Sequence, residues 1–297
     1  MRTAVFLLAV GMPAATHAQA PESEIHLAPL RVRDGVVSVG PATNVTNRPG
    51  YDNQPSFLRD ASGILFTSIR EDAQADIYRY DFATRATSQV TRTSESEYSA
   101  TPLADGRSFS VVRVEPDSTQ RLWRFALDGS GTPSLVLERV KPVGYHTWID
   151  DTTLAMFVLG SPATLQVAST ATGTGVTYAS DIGRGLQRTP GTRGVTYLER
   201  AGDTTYVAQL HFIDARTTST RRLAKALRGV QDFTWTPSGE LLAAQGTTLY
   251  RWSRDCRTND GWERVGTLGP RLGGVTRLAV SPDGKWLAFV AEPAEAP

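Results

Sequence analysis

The chain has 297 residues, 40% hydrophobic and 21% charged, with a formal charge of +1. That balance fits an ordinary globular protein and excludes a disordered, collagen-like or coiled-coil chain. Near-neutrality excludes a global electrostatic footprint for nucleic acid or anionic lipid, and a single cysteine, Cys256, excludes an intrachain disulfide.

The first element is a leader. Met1-Arg2, an apolar stretch over residues 4–10 and small residues up to Ala20 predict a secretory signal peptide over residues 1–20. Ala18-Gln19-Ala20 has the A-x-A form of a cleavage site; cleavage after Ala18 is the alternative, because Pro21 hinders cutting after Ala20. Removal takes away Arg2 and leaves a formal charge of 0. The expected location is periplasmic or secreted. No later stretch reaches about 18 apolar residues, so no membrane span is expected. Cys256 is then an exported thiol, either incidental or able to pair between chains.

Next come two short strand-like pieces, Glu24-Ile25-His26-Leu27 and Thr43-Asn44-Val45-Thr46. The first complete unit follows over residues 54–91. Its strands are Gln54-Pro55-Ser56-Phe57-Leu58, Ile64-Leu65-Phe66-Thr67-Ser68, Asp76-Ile77-Tyr78-Arg79-Tyr80-Asp81 and Ser88-Gln89-Val90-Thr91, rich in residues suited to a pleated surface. Between the first two lies the turn Arg59-Asp60-Ala61-Ser62-Gly63.

That grammar repeats. Gly63, Gly106, Asp151, Gly194, Gly239 and Gly284 mark successive turns 43, 45, 43, 45 and 45 residues apart. Turn chemistry explains the composition: proline presets φ, Asp or Ser bonds its own backbone, and glycine accepts positive φ. The third copy, Ile149-Asp150-Asp151-Thr152, lacks glycine, so a turn role accounts for Asp150 and Asp151; the fourth carries an insertion. Asn259-Asp260-Gly261 reads as a hairpin turn. A period in the forties with about four strands per unit predicts an all-β, six-bladed β-propeller forming one domain over residues 21–297.

The sixth unit, from Gly274, ends before a third strand can form. The pieces at residues 24–27 and 43–46 resemble the third and fourth strands of the first unit, so one blade is expected to be closed by N- and C-terminal strands. Such closure covers exposed sheet edges.

Residues preceding the innermost strands should ring one mouth of the central channel. They are Tyr51-Asp52-Asn53, Glu97-Tyr98-Ser99, Tyr145-His146, Leu186-Gln187, Gln231-Asp232 and Thr276-Arg277. Aromatic faces with hydrogen-bonding groups suit a protein, peptide or glycan ligand. The candidate binding residues are therefore Tyr51, Asp52, Asn53, Glu97, Tyr98, Tyr145, His146, Gln187, Asp232 and Arg277. Hydration of a water-filled channel is the alternative role for them.

Catalytic signals are sparse. No G-x-S-x-G, H-E-x-x-H, P-loop or EF-hand pattern occurs. Of the four histidines, His17 leaves with the leader, His26 and His211 fall in peripheral strands, and His146 alone is placed at the mouth. No cofactor is expected; a calcium ion held by Asp52, Glu97 and Asp232 is the open alternative, since hard oxygen ligands can come from separate blades. A hydrolytic or carbohydrate-active enzyme using Glu97, His146 and Asp232 with a divalent cation is the rival to a non-catalytic binding protein. The basic run Thr220-Arg221-Arg222-Leu223-Ala224-Lys225 has no interleaved aromatics and reads as a solvated edge, not a nucleic-acid site. The chain is expected to be a monomer.

Residues 54–70, residues 98–113 and the signature Ser281-Pro282-Asp283-Gly284-Lys285 resemble the WD40-like PD40 repeats of the TolB-type propeller superfamily. The resemblance implies an exported six-bladed propeller of bacterial type that binds partner proteins at the channel mouth. The separate N-terminal α/β domain of TolB-type proteins and the hydrolase domain of related peptidases have no counterpart around these units, so neither a TolB-like translocation role nor a peptidase activity is expected.

Overall fold

The computed structural model describes residues 21–70, 73–214, 217–253 and 261–293. The expected leader, Cys256, and Asn259 and Asp260 of the expected hairpin turn lie outside the described residues. Among the described residues no helix forms, so none is long and apolar enough to cross a membrane.

The N-terminal segment supplies β1 (Glu24–Arg33), β2 (Val36–Val39) and β3 (Thr43–Asn44). Blade one is β4 (Tyr51–Phe57), β5 (Gly63–Ile69), β6 (Ala75–Asp81) and β7 (Thr87–Gln89). Blade two is β8 (Ser96–Pro102), β9 (Ser108–Val114), β10 (Gln120–Ala126) and β11 (Ser134–Leu135). In blade three they are β12 (Val143–Trp148), β13 (Thr153–Val158), β14 (Thr164–Ser169) and β15 (Gly175–Ser180). Blade four contains β16 (Ile182–Arg188), β17 (Gly194–Ala201), β18 (Thr204–Phe212) and β19 (Thr218–Lys225). Blade five follows with β20 (Thr234–Trp235), β21 (Leu241–Gln245), β22 (Thr248–Trp252) and β23 (Trp262–Thr267). Blade six takes β24 (Val275–Val280) and β25 (Trp286–Ala291) from the C-terminal segment.

Blades one to five are four-stranded antiparallel meanders, and with a sixth antiparallel sheet they form the expected all-β propeller. First strands meet around the axis: β24 touches β4, β4 touches β8, β8 touches β12, β12 touches β16, and β20 touches β24. Blade six is completed as expected, in the order β2-β1-β25-β24, with β3 also on β1. Glu24 to Pro29 pair residue by residue with Ala291 to Trp286, which places His26 opposite Phe289. The pair stacks at 5.2 Å. The hairpin between β1 and β2 was not foreseen. It turns on Asp34 and Gly35, both at positive φ, the pattern of a two-residue turn that matches strand twist.

Alternation along each strand sends successive side chains to opposite faces, so each blade packs on both neighbours. In β5, Ile64 and Phe66 join Ile25, Leu27, Ala288 and Val290 of blade six, whereas Leu65 joins Phe109 and Val111 of blade two. The core therefore lies between blades, with one buried cluster at each of the junctions around the ring. A blade alone would leave both faces wet, which makes the ring the stable unit.

Asp side chains close the turns that the period marks. Asp60 Oδ1 accepts the Ser62 N–H, Asp105 Oδ1 those of Arg107 and Ser108, and Asp150 Oδ1 those of Thr152 and Thr153. The last set explains how the third copy turns without glycine.

Candidate ligand site in the central channel

Sequence pattern placed the candidate residues just before the innermost strands; most lie within them, in β4, β8, β12, β16 and β24. Inside a strand, consecutive residues cannot share a face. Bulges then shift the phase. Pairing slips between Asn53 and Ser56, Tyr98 and Thr101, Val143 and Tyr145, Ile182 and Leu186, and Val275 and Arg277. Gln54 and Ser99 sit in these slips at φ 57° and 56°. Bulges re-aim side chains, and here they do so on the wall of the axis.

A cavity of about 300 Å³ occupies the channel. Toward the start of the inner strands it is lined by Tyr145, Arg184, Asp232 and Arg277; toward their ends by Trp148, Arg59 and Arg188. His146 and Gln187 also line it. A smaller space of about 220 Å³ beside blade five shares Arg184, Asp232 and Arg277.

These groups form one network. Arg277 Nη2 donates to Tyr145 Oη at 2.8 Å, and its guanidinium lies 4.8 Å from the centre of the Tyr145 ring. Arg184 Nη2 donates to the Thr276 carbonyl at 3.2 Å, and Arg184 Nε is buried with no hydrogen-bond partner. Asp232 Oδ2 accepts the Leu278 N–H at 2.9 Å. Burial disfavours the charge on Arg277, but Asp232 and Tyr145 outweigh it and hold the guanidinium above its ordinary range. Burial and then the neighbouring Arg277 push Arg184 down. Asp232 is pushed up by burial, against the pull of Arg277. Tyr51 is raised to about 12 by burial, with Arg277, Tyr145, Tyr98 and Arg184 in electrostatic reach, and burial raises Tyr98 as well.

Tyr51, Tyr98, Tyr145, Asp232 and Arg277 are thus brought together. Asp52, Asn53 and Glu97 face elsewhere. Asp52 is fully buried in an ion pair with Arg48 at 3.1 Å, and Asn53 Nδ2 donates to Ser23 Oγ. Glu97 is fully buried against blade one, accepting from Thr93 Oγ1 and lying 3.7 Å from Arg113 Nε; burial pushes its carboxyl to about 7. Its Oε2 has no partner. The three carboxylates considered for calcium do not converge, and among the described residues no group of three His, Cys, Asp or Glu side chains is arranged to hold a metal ion.

His146 touches the cavity but is engaged behind it. Its Nε2 lies 2.6 Å from Ser110 Oγ, which also accepts from Trp148 Nε1 at 2.9 Å. A serine beside an imidazole is the start of a nucleophile–base pair. Here Ser110 is fully buried, His146 Nδ1 has no orienting carboxylate, and burial holds the imidazole at about 3. The contact fastens blade three to blade two. Trp235 Nε1 makes the same clasp on Thr196 between blades five and four.

Arg184 was missed by pattern reading, which chose Leu186 and Gln187 for that blade. A signal was present in Ile182-Gly183-Arg184-Gly185-Leu186. A Cβ on Gly183 would lie 2.9 Å from Leu198 Cβ, and one on Gly185 3.0 Å from Phe233. The flanking glycines let β16 pass close to its neighbours while the bulge delivers the arginine to the axis.

No protein-family model matches the chain, and no curated protein matches it significantly. Solved structures do. A TolB structure from Agrobacterium tumefaciens superimposes with a TM-score of 0.70 at 16% identity, over 92% of this chain and 98% of that one. The chain is a TolB-like six-bladed β-propeller. A gluconolactonase from Xanthomonas campestris matches with a TM-score of 0.62 at 10% identity, over 93% of this chain and 99% of that one. A chain of the nidogen–laminin complex matches at 0.61 and 11%, over 90% and 98%. At these identities the likeness defines the fold, and the chemistry of this TolB-like propeller rests on its own channel.

Proposed function

We propose that the protein is an exported, non-catalytic binding module that takes a protein or peptide segment at the mouth of its central channel. The observation that carries this reading is the convergence of Tyr145, Arg184, Asp232 and Arg277 from four different blades onto one cavity, with Tyr51 of blade one in electrostatic reach of them. Rigid aromatic faces beside guanidinium groups are the composition of binding hot spots. Export is supported by the leader-like residues 1–20 and by the TolB-like fold. Among similar folds is a chain from a complex of two proteins, nidogen and laminin, in keeping with protein recognition.

Replacing Tyr51 and Tyr145 together with alanine is expected to weaken binding of hits from a combined peptide and glycan array at least about tenfold, or about 1.4 kcal/mol. The melting temperature should fall by only a few degrees, because both positions are partly exposed, although Tyr145 also packs at the edge of the junction between blades three and four. Unchanged binding would move the site away from the mouth; glycan-only hits would change the ligand class. Asp52 is left intact, because truncating it strands Arg48.

The enzyme rival draws on the likeness to gluconolactonases. Its three residues occupy separate settings, Glu97 against blade one, His146 on Ser110 and Asp232 on Leu278. Elemental analysis of the purified protein together with a lactone-hydrolysis assay tests it: stoichiometric metal with turnover would replace the binding reading.

A further inference from the structure

Two guanidinium groups share the channel mouth with one carboxylate, and that imbalance has a chemical meaning. Arg184 comes from blade four and Arg277 from blade six, close enough for Arg277 to disfavour the charge on Arg184. Among the described residues neither forms an ion pair. Asp232 is the nearby acid, yet its Oδ2 is engaged by the Leu278 N–H. Bringing like charges together in a partly dehydrated cavity is unfavourable unless a counter-charge completes the site. Arg184 Nε, buried without a partner, is a donor in want of an acceptor. Further along the cavity Arg59 and Arg188 add positive charge, and Asp232 is the single carboxylate among the residues that line it.

We propose that the channel mouth is a carboxylate site, in which the carboxylate of a peptide end or of a small organic acid sits between Arg184 and Arg277. This rests on the channel-mouth reading above and names the chemistry recognised there. Geometry selects the anion. Guanidinium groups offer paired N–H donors that match the two oxygens of a carboxylate. Tyr145 Oη accepts from Arg277, which leaves its own proton to donate. At the mouth itself Arg184, Arg277 and Asp232 leave one net positive charge, which a monoanion neutralises; Arg59 and Arg188 lie toward the far end of the cavity. The volume of about 300 Å³ suits the end of a chain rather than a folded domain.

Titration of the full mature chain with benzoate, citrate, inorganic phosphate and chloride at constant ionic strength, followed by tryptophan fluorescence and melting temperature, tests the proposal. Trp148 lines the cavity and reports from within it. A tripeptide mixture with free C-termini, and the same mixture amidated, identifies the source of the carboxylate. Saturable binding of carboxylates, with phosphate at least about tenfold weaker, is expected. Arg184→Gln and Arg277→Gln should each weaken binding at least about tenfold. Arg184→Gln should also leave the melting temperature unchanged or raised, because it removes a repelled charge; lost binding in that variant cannot then be ascribed to misfolding. Equal binding of acid and amide peptides, phosphate binding as tight as carboxylate, no saturable binding of any carboxylate, or binding that survives Arg184→Gln would each overturn the proposal. Equal acid and amide binding that Tyr51→Ala/Tyr145→Ala abolishes overturns the carboxylate alone. Small acids binding without any peptide sustains the carboxylate and defeats the peptide reading.

Discussion

Glu97 shows how one side chain can change meaning between sequence and structure. Its inner strand faces the axis in general, yet alternation turns this residue into the junction with blade one, where it is fully buried. Desolvation raises its carboxyl from 4.5 to about 7, partly offset by Thr93 and Thr91. A carboxyl that titrates higher when folded binds its proton more tightly in the native state. Its stabilisation is complete below about pH 4.5 and is lost as pH rises to about 7, by about 3 kcal/mol. Glu97→Gln keeps the shape without the ionisation. The difference in unfolding free energy between variant and wild type, from denaturant titrations at pH 4.5 and pH 8, should shift by that amount in favour of the variant at pH 8. Comparing the two proteins at each pH cancels His146, whose lowered value acts with the opposite sign, withdrawing stability as pH falls below 6.5. A constant difference across the window would show that Glu97 stays ionised in the folded protein.

The same residue marks where the sequence became opaque. Blade period was legible because turns need particular residues, and the alternating apolar runs needed no tertiary information. Which of Tyr51, Asp52 and Asn53 faces the axis depends on strand phase, and bulges at Asn53/Ser56 and Tyr98/Thr101 reset that phase without a residue type that betrays them. Arg184 stayed hidden for the same reason, although its flanking glycines carried the clue. Elements repeat the lesson. Gly106, Gly239 and Gly284 have φ of 64°, 100° and 70°, the conformational role that the turn pattern implies. Gly63 and Gly194 do not. A Cβ on Gly63 would lie 2.4 Å from the Tyr80 carbonyl, and one on Gly194 2.6 Å from that of Leu210, so these open their strands where a neighbour crosses closely. Gly63→Ala is therefore expected to cost about 2 kcal/mol or more through forced separation of β5 and β6. Gly106→Ala, with open space around its Cβ, should cost about 1 kcal/mol from backbone strain alone. Equal losses in denaturant midpoints would erase the distinction between the two kinds of glycine.

At the scale of the molecule, the ring stands or falls at its seam. Every junction between blades is a buried cluster, and those flanking blade six are built from both ends of the chain. Ile25 and Leu27 of β1 pack with Ala288 and Val290 of β25 and with Ile64 and Phe66 of blade one, while Ala28 and Leu30 join Leu287 and Phe289 against Leu242 of blade five. Ser23 adds a parallel bridge to Tyr51, so the N-terminal segment touches blades one and six at once. In a linear stack, loss of one end unit would leave the others folded. In a closed ring it uncovers two junctions, and loss of β1 alone frees the edge of β25. Removing residues 275–297, or residues 21–47, is therefore expected to abolish the single cooperative thermal transition rather than trim it. Phe289→Ala offers the graded version: the ring is fully buried and stacks on His26, so its loss should cost about 3–5 kcal/mol. If blade six were an appendage, Phe289→Ala would split the transition in two, leaving the midpoint of blades two to four in place; if the seam holds the ring, one transition survives and moves as a whole.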